Sequence, residues 1–207
     1  FPVRSFNFPR YGTAKPDSII WSMRLGVNDP YGLLLSHGMK NITDRQEMKE
    51  KHPEYYALYG GTRNTVRKGN QCLSSQGLFD ETVKFARMMY EVYDVPMVSV
   101  MPSDGFTSLC QCPLCKGRAT LDRGIQGQLS DYVWDFANRV AKELYKSHPD
   151  RLVSCGAYSR YMLPPLKIDR LSPNLVVTIV NGRVRWAHDA ETHKTRDDLR
   201  KAWLEKT

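Results

Sequence analysis

Val95-Pro96-Met97-Val98-Ser99-Val100-Met101-Pro102-Ser103-Asp104-Gly105-Phe106-Thr107-Ser108-Leu109-Cys110-Gln111-Cys112-Pro113-Leu114-Cys115 is the stretch on which the fold turns. Val98, Val100 and Met101 form a short apolar run bounded by Pro96 and Pro102, which has the length and the breakers of a buried β-strand. Ser103-Asp104-Gly105 is turn chemistry, so the Asp104 carboxylate is expected at the carboxyl end of that strand. In α/β proteins that end is where ligands bind.

Working outward, the flanks alternate helical and strand patterns. Phe79, Val83, Ala86, Met89 and Tyr93 recur at steps of four and three, predicting a helix over 76–93 capped by Ser75. Leu129, Val133, Phe136, Val140 and Leu144 predict a second helix running to His148-Pro149, with Lys142, Lys146 and His148 near its negative end. Leu152–Tyr158 and Leu175–Val180 read as strands, the latter apolar enough to be buried on both faces. Pro164-Pro165 and Pro173 mark the loop between them, and a last helix is expected from Thr195 or Asp197 to Lys206. Upstream, Leu33–Gly38 predicts a strand with His37 at its carboxyl end. Thr43 or Asp44 is expected to cap a short helix ending at His52-Pro53. Glu54–Gly61 reads as an extended aromatic segment closed by a glycine turn, and Gln71–Leu73 as a small strand. The first 17 residues, with Pro2, Pro9, Gly12 and Pro16 among aromatics, suit an extended segment.

This alternation predicts an α/β fold: a (β/α)8 TIM-barrel-like domain over residues 1–207, with parallel strands near 33–37, 96–101, 152–158 and 175–180 and helices on the crossovers. It reads as an incomplete barrel fragment of a longer chain, since the sequence opens without Met and stops within a charged, helical segment.

Composition narrows the function classes. With 41% hydrophobic and 25% charged residues the chain reads as an ordinary globular protein. Its net charge of +8 and pI near 9.3 favour anionic partners, but the basic residues are scattered, so nucleic acid is not the expected partner and an acidic polysaccharide fits as well. No apolar run approaches the roughly 18 residues of a membrane span, and no signal peptide is visible.

Asp104 is the best single candidate for an acid or base, at the floor of a pocket toward which His37 and Tyr158 point if the strands close into a barrel. An aspartate before glycine is also an ordinary turn pair. Glycoside hydrolysis needs two carboxyl groups about 5 to 10 Å apart, and the candidates for the second are Glu54 and, equally, a missing part of the chain. Trp21 and Arg24 fit a sugar platform and an anion clamp, or a core tryptophan beside a surface arginine. Cys110-x-Cys112-x-x-Cys115 suits zinc, with Cys72 or a histidine as fourth ligand. It equally suits disulfides, for example from Cys72 to one of the three with Cys155 left free. Either arrangement pins the loop rather than performing chemistry.

His52-Pro53-Glu54-Tyr55-Tyr56-Ala57-Leu58, Gly61-x-Arg63, Gln71-Cys72-Leu73-Ser74, Pro102-Ser103-Asp104-Gly105 and the cysteine trio, together with Trp21-x-x-Arg24 and His37-Gly38, resemble a domain-of-unknown-function family of large, exported bacterial proteins. That family is similar to TIM-barrel alpha-glucuronidases and other glycoside hydrolases, and the resemblance covers roughly residues 20 to 160. Ser75-Gln76-Gly77 departs from it, standing where an Asn-Pro-Glu type helix start is usual. The resemblance implies a periplasmic or extracellular glycoside hydrolase acting on polysaccharide or oligosaccharide, including uronic-acid sugars. Hydrolysis would use Asp104, with Trp21, Arg24, His37 and Tyr158 on the sugar, and would require no cofactor beyond a structural zinc. The alternative is a carbohydrate-binding barrel module without catalysis.

Overall fold

A computed structural model describes residues 36–66, 69–180 and 190–207. Two short helices come first, α1 (Lys40–Thr43) and α2 (Gln46–Lys51). Neither Thr43 nor Asp44 caps α2, whose N-cap is Arg45 without a side-chain bond. Thr43 is buried instead, and its hydroxyl donates to the Met39 carbonyl at 3.1 Å, the local bond a threonine makes when it cannot reach water. His52-Pro53 ends α2 in a 3-10 turn, Pro53–Tyr55. β1 (Leu58–Tyr59) and β2 (Thr62–Arg63) then form a small antiparallel hairpin around Gly60-Gly61.

The strand expected at Gln71–Leu73 is only a single antiparallel bridge between Gln71 and Tyr56. The chain turns too soon for a ladder: the Ser75 N–H bonds the Cys72 carbonyl at 2.9 Å, and α3 (Gln76–Tyr93) begins at once. Ser75 caps α3 as expected, accepting from the Leu78 N–H at 3.3 Å. The buried stripe of α3 is Leu78, Thr82, Val83, Ala86 and Tyr90, while Phe79 and Met89 pack partly buried beside it and Tyr93 is 63% exposed. The stripe is turned from the Phe79–Tyr93 face because Tyr90 reaches inward, its hydroxyl donating to the Leu152 carbonyl at 2.8 Å.

β3 (Met97–Ser99), β4 (Leu152–Ala157) and β5 (Leu175–Ile179) make one three-stranded sheet in the order β3-β4-β5, parallel throughout. Met97 stands beside Leu152 and Ser99 beside Ser154, and Val153 pairs with Leu175 through to Ala157 with Ile179. The expected parallel α/β arrangement is therefore present, among the described residues as a sheet of three strands with β4 in the middle. β5 is not buried throughout: Leu175 is buried and Val176–Ile179 are half-buried.

Of the strand expected at 33–37, residues 33–35 lie outside the described residues, and Ser36 and His37 adopt no strand. They nonetheless run beside β3: Ser99 Oγ donates to the Ser36 carbonyl at 2.5 Å and the Met39 N–H to the Met101 carbonyl at 3.2 Å. The approach is so close that a Cβ on Gly38 would lie 1.8 Å from the Ser99 carbonyl oxygen.

The β3–β4 crossover carries α4 (Gly124–Gly127) and α5 (Ser130–Tyr145), and Leu129, Val133, Phe136, Val140 and Leu144 are all buried as their spacing predicts. The β4–β5 crossover lacks the expected helix and has only a 3-10 turn, Ser159–Tyr161, because its proline pair cannot enter a helix interior. Buried polar groups of α5 hold that irregular loop. Asp131 accepts from the Leu166 and Lys167 N–H groups at 2.8 and 2.9 Å, Asn138 accepts from the Ser172 N–H at 2.8 Å, and Trp134 Nε1 donates to the Tyr161 carbonyl at 3.0 Å. α6 (Ala190–Leu204) starts earlier than expected and docks through Trp203, whose ring lies 4.5 Å from Trp134. No helix of the described residues is long and apolar enough to cross a membrane.

Candidate functional site

β3 leads through buried Val100 and Met101 into the Ser103-Asp104-Gly105 turn, where Gly105 supplies the left-handed φ of 79° that the bend demands. Asp104 Oδ1 accepts from the Gly105 N–H at 3.0 Å. The side chain of Asp104 is 62% exposed, so it stands at the surface and not at a pocket floor: a carboxylate this short, bonded to its own turn, stays with the turn.

His37 Nδ1 lies 2.6 Å from the Pro102 carbonyl oxygen. A carbonyl can only accept, so Nδ1 carries the proton and donates, which leaves Nε2 as the atom 3.6 Å from Asp104 Oδ1. Nε2 can hold a proton toward Asp104 only when the ring is an imidazolium or when the carboxyl group shares its own. Tyr158, the first residue after β4, presents its ring edge-to-face at 6.1 Å from the His37 ring. His37 thus lies beside both Asp104 and Tyr158, though not in the strand expected to carry it. Glu54 is exposed and pairs with His52 at 3.2 Å. Trp21 and Arg24 lie outside the described residues.

The second feature is a knot of four buried sulfurs. Cys72 closes the stretch before α3, and Cys110, Cys112 and Cys115 come from the loop after the acid turn, where Pro113 opens a 3-10 turn ending at Cys115. Cys72, Cys112 and Cys115 stand 3.6 Å apart pairwise, and all four sulfurs lie within 4.8 Å of one another. The cysteines are free. The three edges among Cys72, Cys112 and Cys115 are those of a tetrahedron whose vertices lie about 2.2 Å from its centre, against about 2.3 Å for a zinc–thiolate bond, and Cys110 Sγ stands within 4.8 Å of all three. The donor set is therefore one that could hold a metal.

The surroundings favour a thiolate at Cys115, while burial pushes the Cys110 thiol up. Cys110 Sγ accepts from the Leu58 and Cys112 N–H groups at 3.2 and 3.4 Å, and the Ser74 and Tyr132 hydroxyl oxygens lie 3.2 Å from Cys115 Sγ. The hydrogen bond from Cys72, aided by Ser74, Tyr132 and Cys112, brings the Cys115 thiol down to about 4, while the donating Cys72 thiol is pushed up. Cys155 is separate, buried in β4, and burial pushes its thiol up. The hairpin is laced to the same loop by the Gln111 N–H on the Leu58 carbonyl (2.9 Å) and the Gly60 N–H on Gln111 Oε1 (2.8 Å).

One residue was read from the sequence only as part of a motif. Gln71 is fully buried, and its Nε2 donates to Ser103 Oγ at 2.6 Å and to Thr43 Oγ1 at 2.9 Å while its Oε1 accepts from the Ser103 N–H at 3.0 Å. It adjoins Cys72 in sequence and Asp104 in space. No periodicity marks a glutamine whose partners lie 28 and 32 residues away; its place beside Cys72 was the only signal.

A family model described as Domain of unknown function (DUF4838) matches residues 7–205. No curated protein and no solved structure matches the chain.

Proposed function

We propose, for a chain that belongs to the DUF4838 family, that the strand-end cluster is a carbohydrate site and that the protein hydrolyses glycosidic bonds in polysaccharide or oligosaccharide, with uronic-acid sugars as its substrates. The observation that carries this reading is the convergence of His37, Asp104 and Tyr158 at the carboxyl ends of β3 and β4, where parallel α/β folds assemble their sites. In it β3–β5 are three strands of a (β/α)8 barrel, and the protein is an exported bacterial one similar to alpha-glucuronidases. Asp104 exchanges a proton with the glycosidic oxygen, His37 Nε2 holds the carboxyl group and its proton in place, and the Tyr158 ring offers an apolar face to the sugar. The positive net charge favours acidic sugars. A structural zinc in the cysteine knot completes the reading and takes no part in the chemistry, because four thiolates leave no open position.

A carbohydrate-binding barrel without catalysis is the second reading. What favours it is that among the described residues the cluster holds one carboxylate, where hydrolysis needs two. Glycan-array binding and hydrolysis of uronic-acid oligosaccharides, run on the protein and on Asp104→Asn, separate the two. Under the first, the variant keeps its fold and loses about a hundred- to ten-thousandfold in turnover. Binding without turnover supports the second, and full activity in a stable Asp104→Asn protein removes Asp104 from the mechanism.

A further inference from the structure

We infer that Cys72, Cys110, Cys112 and Cys115 form a tetrathiolate zinc site, and that Gln71 is a positioning residue through which this site sets the geometry of the His37–Asp104 pair. The inference rests on the preceding reading only in calling that pair functional; the metal and its coupling stand on their own observations.

For the metal, four buried sulfurs meet from two distant segments within 4.8 Å of one another, three of them at the 3.6 Å edges of a tetrahedral centre. Apolar packing alone gives no reason for two backbone N–H groups to be spent on Cys110 Sγ; negative charge on that sulfur does, and the Ser74 and Tyr132 hydroxyl oxygens stand 3.2 Å from Cys115 Sγ. As Zn²⁺ enters, the thiols release their protons and four Zn–S bonds form, with no change of oxidation state.

For the coupling, the acid turn hangs between two anchors. Downstream, Cys110 follows Asp104 by six residues, with Phe106 buried between them against Tyr132 at 6.4 Å. Upstream, Ser103 is clamped at both its N–H and its hydroxyl by the side chain of Gln71. Gln71 is itself held by the bridge to Tyr56, and the Cys72 N–H by the Tyr55 carbonyl at 2.8 Å. Ser103 lies between Pro102, whose carbonyl orients His37, and Asp104, which faces it. Movement of Cys72 therefore passes through one peptide to Gln71 and through two hydrogen bonds to the turn.

The test uses the full chain expressed with zinc in the medium. Elemental analysis is expected to find about one zinc per chain, native thiol titration to leave the four cysteines unreactive, and Cys72→Ser or Cys112→Ser to lose the metal. Metal-free protein, or iron in place of zinc, overturns the site. For the coupling, His37 ring signals, assigned with His37→Asn, are followed by NMR. Stripping the metal with a chelator and substituting Gln71→Leu are expected to shift the same signals, the second with zinc retained. If Gln71→Leu does not fold, Ser103→Ala removes the hydroxyl acceptor and is read in the same way. Unmoved His37 signals in a zinc-loaded Gln71→Leu or Ser103→Ala protein overturn the coupling. Failure on every glycan, with zinc bound and the signals shifting, refutes the carbohydrate reading and leaves this inference intact.

Discussion

Replacing Gly38 by alanine tests whether the segment bearing His37 is seated on β3 as described. A methyl group there would sit 1.8 Å from the Ser99 carbonyl oxygen, 2.6 Å from the Ser99 carbonyl carbon and 2.8 Å from its Cβ. Real Cβ contacts essentially never fall below 3.0 Å, so segment and strand must part by about 1.2 Å. Backbone cannot yield as a flexible side chain does, and such overpacking costs about 1–3 kcal/mol. The separation also lengthens the bonds from Ser99 Oγ to the Ser36 carbonyl and from the Met39 N–H to the Met101 carbonyl, each contributing about 1 kcal/mol. A loss of about 4 kcal/mol lowers the melting temperature of a chain this size by about 10 °C. Gly105→Ala is the control: nothing lies within 4 Å of its would-be Cβ, so only the left-handed backbone penalty of about 1–2 kcal/mol applies. Thermal denaturation by circular dichroism reads both. A Gly38→Ala melting temperature within about 2 °C of the parent, or a larger loss for Gly105→Ala, would refute the seating of His37 on β3.

Asp131→Ala strips the acceptor from the Leu166 and Lys167 N–H groups and is expected to cost about 3 kcal/mol by urea denaturation; a cost below about 0.5 kcal/mol would show that the loop is held by other means. Tyr56 gives a pH dependence: burial pushes its hydroxyl from 10.0 up to about 12, so the folded state keeps a proton that the unfolded chain releases. Its contribution is complete below pH 10 and is lost as pH rises toward about 12, amounting to about 2–3 kcal/mol. Tyr56→Phe is expected to flatten that limb of the stability–pH curve, and an unchanged slope counts against the assignment.

Features set by neighbours in sequence were legible without the structure. The Ser75 cap and the bounds of the Gln76–Tyr93 helix, the buried face of the Ser130–Tyr145 helix, the proline stop after Lys51 and the parallel strands at 97, 152 and 175 all follow from periodicities and breakers that act over a few residues. The cysteine spacing likewise announced a cluster of ligands, and the turn after Met101 was enough to put Asp104 within reach of a neighbouring segment. Other features depended on pairing over distance. That β5 beyond Leu175 stays half-buried and that Asp104 stands exposed are facts about neighbours that a one-dimensional pattern does not name. Cys72 stood in the sequence beside histidines as one choice for a fourth ligand; tertiary structure brings its sulfur to the trio across 40 and 43 residues. Gln71 is the extreme case, a polar side chain whose burial only becomes tolerable once Thr43 and Ser103 have come to meet it, since a buried amide must find its partners wherever the fold has put them.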